Sequence, residues 1–294
     1  MARSIRIPFL ADLKTVDSKA EVRTLSANAD LDRRFEKRGP LVNRLLMGTV
    51  TGALQVDGKP LPTVAPRGDT HRAKEQQALR QRLDPAIKPL WDDATLAALV
   101  AAVSGRKGAD TIGPAAQQAV GRLFLPSYLG DAASFAAARD LDDAVHSRNP
   151  IRHLMLKVTG QLRRSRRLLA ERVNGNLAGV HGTGIAVHNM VLGFQKMREL
   201  FMRGERPSTD EIVKLCLFAP PTVLRQATAP GQTVAGELRK GTLVLFELDT
   251  IRKTSPDAET VFMAGTWAEC PALLFVPALY RAVWDGAIVA EKRS

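Results

Sequence analysis

The residues from Leu168 to Arg203 carry the longest helical pattern in the chain, and they constrain the fold more than any other stretch. Apolar residues lie nearly all round the helix through its middle, LAGVHGTGIAVHNMVLGFQKMRELFMR, a composition that belongs inside a core. The pattern runs to about ten turns at 3.6 residues each, far beyond the usual helix length, so it predicts a helix threading the molecule. Its centre departs from this regularity. Gly179, Gly182 and Gly184 each cost about 1 kcal/mol against alanine in a helix interior. Glycines in that position mark close approach by something large, or a local kink. His181 and His188 share a face after two turns, too far apart for the i, i+4 pair that binds a metal.

The rest of the sequence must supply what surrounds such a helix. A chain of 294 residues accommodates one large domain or two ordinary ones, and 45% hydrophobic residues suffice for a sizeable core. The 42 Lys and Arg against 30 Asp and Glu leave a net charge of +12, which favours acidic partners: nucleic acid, anionic lipid or an acidic protein. No run approaches the ~18 apolar residues of a membrane span, and the first residues carry no signal-peptide pattern. Two cysteines, Cys216 and Cys270, give no disulfide framework and fit a reducing, cytoplasmic setting.

Taken in order, residues 1–66 read as an irregular lead-in. Short helices are expected over Lys19–Leu25 and Asp32–Leu46, and a loop or small hairpin over Gly52–Pro66. A helix opens at Thr70-His71-Arg72, capped by Asp69 or Thr70 and stopped by Pro85. Helical patterns follow over Asp92–Val103, Pro114–Leu125 and Ser134–Val145. Between Asn149 and Arg172 the chain turns strongly basic, with Arg152, Arg163, Arg164, Arg166, Arg167 and Arg172. The tract suits a nucleic-acid patch, or the solvated face of a helix whose buried face is Leu156, Leu162, Leu168 and Leu169. No aromatics interleave to stack bases, which favours the second. After Pro207, Ser208–Phe218 is a short capped helix, followed by alternating strands and hairpins up to Asp249. The fold class is therefore mainly α with a small β region, α+β, in one domain over 1–294. Its parts are a lead-in (1–66), a helical body (67–206, with the central helix at 168–203) and a last segment (207–294) of hairpins, cysteine loop and final helix.

In that last segment Cys270 is followed at once by Pro271 and the apolar run Ala272–Val276. Proline is favoured at a first helical position, where its missing N–H would be unpaired. Cys270 thus sits where a loop enters a buried helix, beside backbone N–H groups that stabilise a thiolate. Such a thiolate can be a nucleophile, a redox thiol or an axial ligand to heme iron. A buried structural cysteine fits the same pattern.

Several segments taken together resemble the cytochrome P450 family of heme-thiolate monooxygenases. Ala178–Thr183 stands where that family's oxygen-activating segment lies on the long helix over the heme. Pro220-Pro221-Thr222-Val223-Leu224-Arg225 resembles the turn and the strand arginine that pairs with a heme propionate. Val234-Ala235-Gly236 and Lys240–Val244 look like the next hairpin, and Phe262-Met263-Ala264-Gly265 with Cys270-Pro271 looks like the heme-binding loop. His71-Arg72 is similar to the segment whose basic residues reach a propionate.

The resemblance implies heme b as cofactor, with Cys270 as its iron ligand. Arg225, His71, Arg72, Gly179, Gly182, Phe262, Gly265 and Trp267 would contact it, with Thr183 and His181 in the oxygen-activating and acid–base roles. A hydrogen-bonded core histidine describes His181 equally well. The implied activity is oxidation of a small apolar substrate, driven by an acidic electron-transfer protein or by peroxide. A shortened chain can also cover apolar surface by forming a homodimer.

The departures are specific. The nearest match to the family's Glu-x-x-Arg pair is Glu211-Ile212-Val213-Lys214. The cysteine loop has one residue more between Gly265 and Cys270, and its basic residue is replaced by Ala268. His181 stands in place of the acid, and Thr183 falls one place late. A heme-binding pseudoenzyme of the same ancestry is therefore one alternative. A basic nucleic-acid or protein-binding module without heme is the other.

Overall fold

A computed structural model of the chain describes residues 3–37, 39–83, 90–146 and 149–293. The chain is mainly helical with a small β region, as the sequence predicts. It divides into two compact units, each built from two separate stretches, where the sequence reading draws one domain in three consecutive segments.

The first unit joins Met1–Ala73 to Ala219–Cys270 and holds the β structure. Strands β1 (Arg3–Ile7) and β2 (Ala11–Val16) form an antiparallel hairpin, and β3 (Leu31–Asp32) is a two-residue strand. Strands β4 (Gln55–Val56) and β5 (Lys59–Pro60) close on Asp57-Gly58, both at positive φ, the conformation a tight hairpin turn requires. Further on come β6 (Val223–Ala227), the hairpin of β7 (Gly231–Thr233) with β8 (Gly236–Leu238), and β9 (Leu243–Phe246). The main sheet runs β1-β2-β9-β6-β3, with β2 and β9 its parallel pair. Residues 1–66 are therefore not irregular; they supply three of five strands. The helix expected over Asp32–Leu46 is instead Leu41–Ala53, because Asp32 pairs with Gln226 and Pro40 caps the helix start.

A buried asparagine fastens that helix to the sheet. The Asn43 side chain accepts from the Asp12 backbone N–H (3.1 Å) and donates to the carbonyls of Asp12 (2.8 Å) and Gly241 (2.9 Å). Beside it the Thr242 hydroxyl donates to the Asp12 carboxylate at 2.6 Å.

The second unit joins Lys74–Phe218 to Pro271–Ser294 and is all helix. The expected helix over 168–203 is interrupted. Gln161–Arg172 ends in a turn with Asn174 and Gly175 in left-handed conformations, and Asn176 caps a new start by accepting from Gly179 N–H at 2.8 Å. From Leu177 the path is helical to Met202, through a wide π turn at Gly182–Ala186. That turn takes up an extra residue, so His181 and His188 lose the face a regular helix would share; His188 stacks on Phe135 at 5.6 Å. Downstream, Val187, Met190, Phe194 and Met197 are buried, the core role predicted. Gly193 lets the Tyr280 ring lie against the helix, where its hydroxyl donates to the Met190 carbonyl.

The final helix, Ala272–Glu291, is long and apolar enough by length and composition to cross a membrane, although the sequence reading finds no such run. Its buried stripe, including Phe275, Leu279, Tyr280, Val283 and Trp284, makes it the core helix of this unit. The basic tract is folded in as well. Leu156, Leu162 and Leu169 are buried, Arg152 pairs with Asp140 and Asp143, and Arg172 pairs with Asp131. Arg163, Arg164 and Arg167 face solvent. Pro85, the expected stop of the Thr70–Arg82 helix, lies outside the described residues.

Asn43→Ala leaves three buried backbone groups without partners. It should lower the free energy of unfolding by about 2 kcal/mol or more, read from urea denaturation; a loss under a few tenths would show that water replaces the side chain.

Candidate functional site

The predicted residues divide between the units: His71, Arg72, Arg225, Phe262, Gly265, Trp267 and Cys270 belong to the first, Gly179, His181, Gly182 and Thr183 to the second.

In the first unit Phe262–Cys270 is a compact loop closed by its own hydrogen bonds. The Cys270 N–H donates to the Phe262 carbonyl at 2.9 Å, and the Gly265 N–H to the Glu269 carboxylate at 2.7 Å. Thr266 Oγ1 donates to the Met263 carbonyl at 2.8 Å. Met263 and Gly265 hold positive φ angles, so the chain turns sharply twice before Cys270. Cys270 is half-buried, and Pro271 caps the helix that follows, as its position after the cysteine predicts. Cys216 contrasts with it. Burial pushes its thiol up to about 12, so it stays protonated and is a structural cysteine.

Trp267, in the middle of that loop, is ringed by arginines. The guanidinium carbons of Arg33 and Arg72 lie 5.1 Å from its ring centroid, that of Arg225 at 5.3 Å and that of Arg67 at 5.9 Å. Each comes from a different place: Arg33 after β3, Arg67 in the loop before the Thr70 helix, Arg72 on its first turn, Arg225 on β6. Arg72 also donates to the Trp267 carbonyl at 3.3 Å, and Arg225 donates to the Leu224 carbonyl (2.7 Å) and the Met263 sulfur (3.7 Å). Sequence reasoning named Arg72, Arg225 and Trp267. It missed Arg33 and Arg67, whose surroundings carry no motif, because a two-residue strand places them. His71, the other half of its dipeptide, is exposed.

The electrostatics of this cluster are costly. Arg225 is 1% exposed, Arg72 7% and Arg33 9%. Burial first, then repulsion by Arg72, brings Arg225 down to about 9. Burial, then Arg225 and Arg72, holds Arg33 well below the usual guanidinium range, while Cys270 and Asp32 pull the other way. Among the described residues neither Arg33 nor Arg225 forms an ion pair with a carboxylate, and Arg225 Nε has no partner. Stacking on Trp267 returns about 2 kcal/mol per desolvated contact. Burying an ion costs several, and like charges within about 10 Å add about 2 kcal/mol per pair at an effective dielectric of ~20. Among the described residues Arg33 and Arg225 are thus under-compensated, and they are chemically suited to an anion with more than one charge.

In the second unit the glycines allow close packing of neighbouring side chains. The room left by the missing Cβ atoms of Gly179 and Gly182 goes to Phe124, Val120 and Val173. Thr183 is fully buried; its hydroxyl donates back to the Gly179 carbonyl at 2.8 Å, and its carbonyl accepts from Gln117 Nε2 at 3.0 Å. His181 is half-buried at the edge of the π turn, a helical irregularity often found at functional sites. The Glu-x-x-Arg position is also settled locally. Glu211 caps its own helix, accepting from the Ser208 N–H (2.9 Å) and hydroxyl (2.7 Å).

The chain resembles solved cytochrome P450 structures over nearly its whole length. It superposes on cytochrome P450-153 from Novosphingobium aromaticivorans with a TM-score of 0.63 and 11% identity, covering 99% of this chain and 86% of that one. P450 RauA, complexed with a biosynthetic intermediate of aurachin RE, gives 0.58 and 13%, covering 93% and 83%. Cytochrome P450EX alpha with myristic acid gives 0.52 and 14%, covering 94% and 80%. No family model matches the sequence, and no curated protein matches it. The fold is that of the cytochromes P450.

Replacing Arg225 by methionine removes a buried charge while keeping volume. Arg225→Met should raise the unfolding midpoint of the ligand-free protein, by about 1 kcal/mol or more, in guanidinium melts. A destabilised variant would show instead that the charge is already paired.

Proposed function

We propose that the protein is a heme-thiolate oxidoreductase. The observation that carries this reading is the under-compensated pair of buried guanidiniums, Arg33 and Arg225, in the same unit as the half-buried Cys270. A P450 fold, a cysteine closing a hydrogen-bonded loop, and buried cations seeking a multiply charged anion fit one cofactor, a heme with two propionates. The residues on hand suit it. Cys270 would supply the thiolate ligand, Arg72 and Arg225 would hold carboxylates through charge-assisted bonds, and Trp267 gives those side chains a flat surface to stack on. Phe262 and Gly265 would contribute by shaping the loop backbone that presents the thiolate.

Bound heme would supply the oxygen chemistry, and a thiolate ligand favours cleavage of an O–O bond. The chain's own contribution is to hold the thiolate charged, to orient the cofactor through its carboxylates, and to move protons. For that last role His181 is the candidate, since its ordinary pKa lies near neutrality. The Thr183 hydroxyl, already donating to Gly179, would have to rotate to serve a ligand. The substrate class we assign is a small apolar molecule. The basic surface suits an acidic redox partner, and peroxide would serve in its place without one.

The test is an optical spectrum of purified protein reconstituted with hemin, oxidised and then reduced under carbon monoxide. A red-shifted thiolate–carbonyl band, lost in Cys270→Ala and moved in Cys270→His, is the expected result. A protein that takes up no hemin would overturn the reading. Uptake without the thiolate band would leave a heme-binding protein ligated by something other than Cys270.

A further inference from the structure

We propose that Arg33 and Arg67, pinned by Asp32, form a second carboxylate clamp that acts with Arg72 and Arg225 on one dicarboxylate ligand. The inference rests on the cofactor reading above and adds two residues that the resemblance to the P450 family does not point to.

The Asp32 carboxylate is the organising group. Its Oδ1 accepts from the backbone N–H of Arg33 at 2.6 Å and from that of Arg67, in a separate segment, at 2.6 Å. Asp32 is itself 7% exposed. Its oxygen is thus engaged by two peptide groups, fixing where both arginine side chains start. Both then reach the same Trp267 ring. Arg33 is nearly as buried as Arg72; Arg67 forms the exposed edge, where it also donates to the Ala27 carbonyl at 3.4 Å.

Stacking decides which atoms remain for a ligand. A guanidinium lying against an indole uses its π face and keeps its five N–H donors around the rim. Arg225 keeps one such donor: its Nε is buried with no partner while its guanidinium carbon is 5.3 Å from the ring. The same disposition in Arg33 offers an in-plane donor edge that a carboxylate can meet with two parallel bonds. Two pairs of guanidiniums, one fixed by β6 and the Thr70 helix and one fixed by Asp32, match two carboxylates better than one. The ligand class is therefore a dicarboxylate.

Metal-free protoporphyrin IX and its dimethyl ester separate this proposal from the iron–cysteine bond. Both would be titrated into the full chain, with tryptophan quenching and porphyrin absorbance as readouts. The diacid should bind wild type at least about ten-fold more tightly than the ester, the worth of one charge-assisted bond. Arg33→Met should lose about ten-fold or more for the diacid and little for the ester, Arg33→Lys should recover part of the loss, and the exposed Arg34→Met should change nothing. A thermal melt of each variant checks folding. If Arg33→Met and Arg67→Met bind the diacid like wild type while Arg225→Met is impaired, the second clamp is wrong and the cofactor reading stands. If no variant, nor wild type, binds either porphyrin, and hemin gives no thiolate band, both fall together.

Discussion

Burying positive charge is the constraint on which the first unit turns. Three guanidiniums are more than nine-tenths removed from water around one indole, and the nearby Asp32 carboxylate bonds backbone N–H groups of Arg33 and Arg67. Desolvation of several kcal/mol per ion cannot be met by stacking on Trp267 alone. The sheet, the Asn43 pin and the tight cysteine loop therefore hold an arrangement that local energetics would relax. Sites that store such cost are where function is expected, because the stabilising partner arrives from outside. The depressed value for Arg225, about 9, expresses the same stored cost.

The two cysteines show how environment assigns roles to one residue type. Cys216 sits at the end of a helix in an apolar core and is held protonated by burial. Cys270 is half-buried at the close of a loop whose backbone is already internally bonded. Arg33, a cationic side chain from its own unit, is coupled to it electrostatically. Electropositive surroundings and partial exposure are what make a thiolate available, and only Cys270 has both.

Much of this was legible in the sequence, and the parts that were not share a cause. The capped helix at Ser208, the Asp57-Gly58 hairpin, Arg225 on a strand and Cys270 before Pro271 all follow from local rules. The lead-in was misread because β1–β3 gain their meaning from distant partners: β2 lies beside β9, and Asp32 pairs with Gln226. A two-residue strand has no periodicity to detect, so Arg33 and Arg67 stayed invisible. The long helical pattern concealed a break because Asn174 and Gly175 adopt left-handed conformations that propensity alone does not demand. The glycines at 179 and 182 suggest close approach or a kink from sequence, and the side chains beside them are Phe124, Val120 and Val173.

The basic surface and the basic interior are separate matters, and separating them weighs the alternatives. Arg163, Arg164 and Arg167 are exposed and fit any polyanion, whereas Arg33, Arg72 and Arg225 are inaccessible to a nucleic-acid backbone. A nucleic-acid module has no use for the buried set, so that alternative leaves the costliest feature unexplained. The pseudoenzyme alternative leans on the missing Glu-x-x-Arg pair, and here the structure is specific. Glu211 is occupied in a capping box on an exposed helix start, so it is not a displaced version of that pair. The cysteine loop is instead held by bonds within itself, from Cys270 to Phe262, Gly265 to Glu269 and Thr266 to Met263. A loop that supplies its own bonds keeps its shape without such a pair.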